Sequence, residues 1–304
     1  MSLKTIAIIA NSLHSKKIAS IENELNSAAI DNAEYSIELF KSSPEKSIRQ
    51  IASDAALNHE VLIAVGGDGT FHEIVNGIFD AGKADTCLMG FMAVGSANDF
   101  QKTLNFESSL KSILVKLKAQ VFRKVNVGCV LFTSENGKKE KRYFLNIASL
   151  GMGYEVMKAV NRDTQKLNAD FSYFKAIAKT FTLYKNKEVA CKADDWHWEG
   201  KVKLIAIANG KYFGSGLCIA PNASPFKKDL AITIVGDVSL WTYLKNLLPL
   251  KLGRYINHEQ VFYKKVVELQ VDSKQVLGIE ADGEVLGTTP AIFTIIEEAI
   301  NIIY

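Results

Sequence analysis

A chain of 304 residues with 48% hydrophobic and 23% charged residues has the balance of a globular protein of one large domain or two ordinary ones, which excludes a disordered polymer. Its net charge of +3 is too small to point to nucleic acid, and is compatible with small anionic partners such as nucleotides or lipid head groups. No apolar run approaches the ~18–20 residues that span a bilayer, and the start Met1-Ser2-Leu3-Lys4-Thr5 lacks the features of a secretory signal, so the expectation is a cytosolic protein whose membrane contact is peripheral.

In chain order, residues 4–10 read as a buried strand and 15–30 as a helix. A strand at 35–40 follows, then a helix at 44–58 with Pro44 near its start. Next come a strand at 61–65, a helix at 71–79 and a strand at 88–94. Strands alternating with helices predict a parallel sheet covered on both faces. The style changes near residue 125, where no Gly-, Ser- or Pro-rich linker occurs. Strands at 125–133 and 142–149 flank the polar turn Glu135-Asn136-Gly137-Lys138-Lys139, and helices at 154–165 and 171–184 follow. Further strands are expected at 188–196, 201–209, 230–235, 261–271, 276–281 and 291–296, giving a largely antiparallel second domain. The four cysteines, Cys87, Cys129, Cys191 and Cys218, form no C-x-x-C pair and lie in apolar stretches, as buried free thiols do.

The apolar strand 61–65 runs into Gly66-Gly67-Asp68-Gly69-Thr70 and then Phe71-His72-Glu73-Ile74-Val75-Asn76-Gly77. A strand, a turn with three glycines and an immediate helix make a phosphate cradle: backbone N–H groups approach the anion and the helix directs its positive end at it. Thr70 and Glu73 equally fit a capping box that merely starts the helix. Asp68 beside a phosphate repels it unless a cation lies between, which points to Mg²⁺-nucleotide. The five histidines are scattered without metal-ligand spacing. Asp282 and Glu284 are i, i+2, which in a strand puts both carboxylates on one side, although Asp-Gly is also a hairpin-turn pair.

Gly66-Gly67-Asp68-Gly69-Thr70 with Glu73 and Asn76-Gly77 resembles the nucleotide motif of the diacylglycerol, sphingosine and ceramide kinases and their bacterial lipid-kinase relatives; NAD kinases share its first half. Gly95-Ser96-Ala97-Asn98-Asp99-Phe100, Asn209-Gly210 with Gly214-x-Gly216 and Ala220-Pro221-x-Ala223, and Asp282-Gly283-Glu284 match further family motifs in the family order. The resemblance implies an NAD-kinase-like α/β nucleotide-binding domain, residues 1–125 rejoined by the tail 296–304, followed by an antiparallel β-sandwich lipid-substrate domain, residues 126–295. It implies transfer of the γ-phosphoryl of ATP, with Mg²⁺, to a lipid hydroxyl, the motifs around Asp68, Asn98 and Glu284 facing one interdomain cleft. Gly66, Gly67, Asp68, Gly69, Thr70, Glu73, Ser96, Asn98 and Asp99 would hold the nucleotide, with Asn11, Ser15 and Ser42 as weaker carry-overs. Glu284 would accept the hydroxyl proton, with Asp282 and Asp68 assisting.

The chain departs from the family pattern in three places. The first loop, Asn11-Ser12-Leu13-His14-Ser15, lacks the usual Pro and Gly, and Asn126 stands where many bacterial members carry Asp. In Phe226-Lys227-Lys228-Asp229-Leu230-Ala231 a Lys pair replaces Asp-Gly, and Ala231 replaces an Asp of the structural Mg²⁺ site, so that site is expected to be lost and the catalytic ion to travel with ATP. Phosphorylation of another hydroxylated molecule such as NAD, or nucleotide binding with weakened catalysis, are the competing readings. In 239–256, Trp241 and several leucines interleave with Lys245, Lys251 and Arg254, which suits contact with an anionic membrane surface or an ordinary packed helix, and Pro249 is expected to break the segment.

Overall fold

The computed structural model describes residues 4–26, 35–162, 169–194 and 196–304. It divides into two units, residues 1–125 with 298–304, and residues 126–297.

The first unit contains β1 (Lys4–Ala10), α1 (Ser15–Asn26), β2 (Tyr35–Lys41), α2 (Ile48–Asn58), β3 (Val61–Gly66), α3 (Asp68–Asp80), β4 (Leu88–Ala93), α4 (Asp99–Leu104) and α5 (Leu110–Lys118). A 3-10 turn, Ser12–His14, precedes α1, and expected helical residues 27–30 lie outside the described ones. The sheet is parallel, in the order β2-β1-β3-β4, with Ala10 opposite both Lys41 and Val65 and Gly66 opposite Ala93. Every residue of β3 is buried, as a central parallel strand requires. Ile6, Ile8, Ile63 and Val65 face Ile18 and Ile21 of α1 and Ile113 and Leu117 of α5. Helices α2 and α3 meet at Gly77, where a Cβ would lie 2.5 Å from the Arg49 carbonyl oxygen.

Two expected helix starts are displaced. Helix α2 begins at Ile48, because Ser47 and Gln50 form a reciprocal capping box, and Pro44 lies outside it. Helix α3 begins at Asp68 with Gly67 as its N-cap, so Thr70 and Glu73 are inside the helix and form no capping box.

The second unit contains β5 (Phe122–Thr133, which begins before the division), β6 (Lys139–Phe144), β7 (Ile147–Gly151), α6 (Met152–Arg162), α7 (Ala169–Leu183), β8 (Lys187–Ala193), β9 (Trp196–Val202), β10 (Leu204–Ala208), β11 (Tyr212–Phe213), β12 (Leu217–Cys218), β13 (Leu230–Val235), α8 (Leu240–Lys245), α9 (Leu247–Lys251), β14 (Val261–Val266), β15 (Glu268–Ser273), β16 (Gly278–Ala281) and β17 (Glu284–Ile303). The expected strands 142–149, 201–209 and 261–271 are each two strands, and residues 163–165 of an expected helix lie outside the described ones. One antiparallel layer runs β14-β13-β10-β7-β16-β17 and another runs β9-β8-β15-β17, with β5 also joined to β17 and β6 to β5. This is a β-sandwich whose core holds Phe132, Phe144, Ile205, Ile232, Leu269 and Phe293. Residues Asn301 and Ile302, in the last part of β17, pair in parallel with Leu88 and Met89 of β4 in the first unit's sheet.

All four cysteines are free and buried. Burial pushes the Cys87 and Cys191 thiols up to about 12, so neither supplies a thiolate at neutral pH.

Candidate functional site

In the first unit the parallel register brings the C-terminal ends of β1, β2, β3 and β4 to one edge. The sequence-predicted nucleotide residues follow from those ends, where open α/β sheets usually bind ligands. After β1, the Asn11 side chain accepts from the Leu13 amide at 3.1 Å and holds the 3-10 turn; Ser15 then opens α1, exposed. After β2, Ser42 Oγ accepts from the Ser12 amide at 3.1 Å, tying the two loops together.

After β3 and β4, the loops meet backbone to backbone. A Cβ on Gly67 would lie 3.2 Å from Gly95 Cα, and a Cβ on Gly95 would lie 2.6 Å from Gly67 Cα. Close approach, not unusual φ, is therefore what needs glycine here. Among the described residues no side-chain cap closes the start of α3 at Gly67. Thr70 is buried over Gly66, and Glu73 lies one turn further along α3.

The Asp68 carboxylate is engaged within the protein: Oδ2 accepts from the Asp99 amide at 3.0 Å and Oδ1 from the Phe100 amide at 2.9 Å. Its charge meets the start of α4, an arrangement that the local sequence does not reveal. Asp99 is buried and pairs with Lys102 at 3.2 Å, while Ser96 is exposed on the β4–α4 loop. Asn98 adopts a left-handed conformation and donates from Nδ2 to the Gly95 carbonyl at 2.8 Å. Its Oδ1 is buried with no partner among the described residues, leaving one acceptor for a ligand donor.

In the second unit Asp282 and Gly283 both have positive φ and form the two-residue turn from β16 to β17, with Ala281 opposite Glu284. Asp282 is therefore in the turn, and the expected strand alternation with Glu284 does not hold. Its carboxylate accepts from the amides of Leu145 (2.8 Å), Asn146 (2.9 Å) and Ile147 (3.1 Å). Sequence reading missed Glu280, which is buried, accepts from Ser149 Oγ and takes the Gly283 amide at 3.1 Å. Two asparagines marked in the sequence, Asn126 and Asn209, are buried. Asn209 donates to the carbonyls of Asn126 (2.9 Å) and Leu145 (2.6 Å), and Asn126 Nδ2 donates to that of Lys227 (2.6 Å). Asp229 pairs with Lys265 at 3.1 Å, and Ala231 sits in the β13–β14 ladder opposite Lys265.

Asp282→Ala should destabilise the protein by about 3 kcal/mol or more, since three amides lose a charged acceptor. Asp282→Asn, which keeps the turn and one oxygen, should cost roughly half as much. Urea denaturation of both variants checks this, and equal stability of Asp282→Ala and wild type would remove the clamp.

Beside α6 and α7 the second unit holds a cavity of about 100 Å³, lined by Met152, Val156, Ile177, Phe181, Tyr243 and Leu250 among others. Among the described residues one lysine, Lys203, lies in its wall.

Comparison with known proteins agrees with these two architectures. Residues 5–130 match the diacylglycerol kinase catalytic domain, and residues 146–304 match the YegS C-terminal NAD kinase beta sandwich-like domain. A diacylglycerol kinase of Staphylococcus saprophyticus is 24% identical over 280 residues, covering 92% of this chain and 87% of its own. The crystal structure of a diacylglycerol kinase from Bacillus anthracis superposes with a TM-score of 0.70 at 17% identity, covering 100% of this chain and 98% of its own. Yeast NADH kinase complexed with NADH gives 0.55 at 11% identity, over 99% and 82% of the two chains.

Proposed function

The chain belongs to the diacylglycerol kinase catalytic-domain family, a family of kinases, and from that premise we propose that it transfers the γ-phosphoryl of ATP to the hydroxyl of a lipid. The observation that carries the reading is the sheet edge of the first unit. There Gly67 and Gly95 touch, the start of α3 is uncapped, and Asn98 keeps a buried acceptor without a partner among the described residues. That edge suits a nucleotide: amides for phosphates, a dipole end for their charge, and an acceptor for a ligand N–H or O–H.

When bound, ATP supplies the phosphoryl group. The protein's own share is positioning and proton transfer. Gly67, Gly69 and Thr70 offer backbone amides; Asp68 fixes the α3 and α4 starts against each other and thereby the loop shape. Ser96, Asp99 and Glu73, with Asn11, Ser15 and Ser42, are assigned to the rim of the nucleotide site. Glu284 takes the proton of the attacking lipid hydroxyl as the hydroxyl oxygen bonds to the γ-phosphorus and the bond to the departing ADP oxygen breaks, and Asp282 acts as a positioning residue through the turn it clamps. Asp68, whose two oxygens accept from the Asp99 and Phe100 amides, is assigned to holding the loops, and Mg²⁺ would be held chiefly by the nucleotide's phosphates. The apolar cavity of the second unit supports a lipid acceptor.

A turnover assay with labelled ATP and diacylglycerol-containing mixed lipids, run beside NAD, tests this. Labelled lipid is the expected product; labelled NAD alone, or no product with intact ATP binding, would replace the reading.

No described helix is long and apolar enough to cross a membrane. A lipid kinase must then meet its substrate at a surface, and we assign that surface to α8 and α9. The break in this segment falls at Asn246; Pro249 sits in the first turn of α9, where its missing N–H costs nothing. The inward side carries Tyr243 and buried Leu250, while Trp241 (64%), Leu248 (66%) and Leu252 (58%) are exposed. Lys245 lies over the Trp241 ring at 5.3 Å. Trp241→Ala combined with Lys245→Glu and Lys251→Glu should lower sedimentation with anionic vesicles at least about tenfold and spare zwitterionic ones. Equal retention of all variants would return this segment to a purely structural role.

A further inference from the structure

Lys203 is an anomaly in the cavity beside α6 and α7. It follows β9 and precedes β10, in the apolar run Val202-Lys203-Leu204-Ile205, and only 6% of it is exposed. The cavity wall it shares is mainly apolar, with Met152, Val156, Ile177, Phe181 and Leu204, and carries Thr242 and Asn246 as polar members. Its Nζ sits 4.7 Å from the centre of the Phe181 ring, and no ion pair or side-chain hydrogen bond engages it among the described residues. Asp237 is the acidic group whose field it feels, but Asp237 is exposed and already takes a hydrogen bond from Asn186 Nδ2 at 2.7 Å. The Tyr184 hydroxyl, on the same apolar cluster, is also buried with no partner among the described residues.

A buried ammonium facing a cavity is costly with hydrocarbon against it, and the cost is relieved when an anion enters. A neutral acyl chain fills the cavity and leaves the charge unpaired. An amphiphile with an acidic head fills it and pairs the charge. We propose that this cavity is a binding site for an anionic single-chain amphiphile, with Lys203 as its specificity determinant holding the acidic head. The inference rests on the reading of the cavity as a lipid site, not on phosphoryl transfer, and its test needs no turnover.

The test is calorimetry on the full chain, below micellar concentrations, with decanoate, decyl phosphate and 1-decanol. The expected result is that an anionic probe binds wild type at least about tenfold tighter than 1-decanol. Lys203→Met should erase that preference and strengthen 1-decanol binding, while Lys203→Arg keeps the preference. Tighter binding of decanoate than of decyl phosphate identifies a fatty-acid-like ligand; the reverse order identifies a phosphomonoester lipid. If wild type binds all three equally, the anion assignment is overturned while the lipid site stands. If it binds none, both fall. The wild-type comparison decides even if Lys203→Met does not fold.

Discussion

Replacing Glu284 by Gln should cut kcat by roughly 10²–10⁴-fold and leave ATP affinity nearly unchanged, the signature of a lost general base. The substitution keeps the size and hydrogen-bonding reach of the side chain and removes only its ability to take a proton. Its position is well fixed. Glu284 is the first residue of β17 after a turn held at both members: Asp282 by three amides of residues 145–147, and Gly283 by Glu280. A loose carboxylate would blur the effect, whereas a fixed one should give it in full. Steady-state kinetics with ATP and lipid varied separately is the measurement. Wild-type kcat in the variant would make Glu284 structural and transfer the proton-acceptor role elsewhere.

The second large effect is expected where the two glycine loops touch. Gly67→Val and Gly95→Ala should each abolish measurable ATP binding. At Gly95 even one methyl group would sit 2.6 Å from Gly67 Cα, so the β3–α3 and β4–α4 loops must part. At Gly67 the contact is looser, 3.2 Å, but valine adds bulk and restricts the backbone beside the uncapped start of α3. Parting the loops misaligns amides that belong to different strands. Calorimetric titration with ATP, with thermal unfolding as a control for folding, decides the matter. Retained affinity in both variants would end the assignment of this edge to a nucleotide.

The parts of this molecule that were legible in sequence are those set by local pattern. Strands β1, β3 and β4 announce themselves as apolar runs and β2 as a mixed polar and apolar one, and the Gly-rich motif marks a strand–helix junction. Helix starts were less legible because two signals competed. Pro44 suggested an early start for α2, but Ser47 and Gln50 satisfy each other's backbone and win. The consecutive strands β9 and β10, and β14 and β15, merge in the sequence because their breaks, at Lys203 and Val267, carry neither Gly nor Pro. Lys203 itself is visible in the sequence as a charge inside the apolar run Val202-Lys203-Leu204-Ile205. What sequence could not give is the partner of each carboxylate. Asp68 meets amides 31 and 32 positions away, and Asp282 meets amides 135 to 137 positions away, so only the folded chain tells a ligand-facing acid from a brace.

The pairing of Asn301 and Ile302 with β4 has a consequence for the order of synthesis. The sheet that carries the nucleotide motifs is encoded almost entirely in residues 4–93, yet the strand flanking β4 is synthesised only after β5 to β16. Until then β4 presents a bare row of amides and carbonyls, the kind of edge that recruits strands from other chains. Translation interrupted before residue 301 would therefore yield a first unit with a sticky border, however complete its glycine loops.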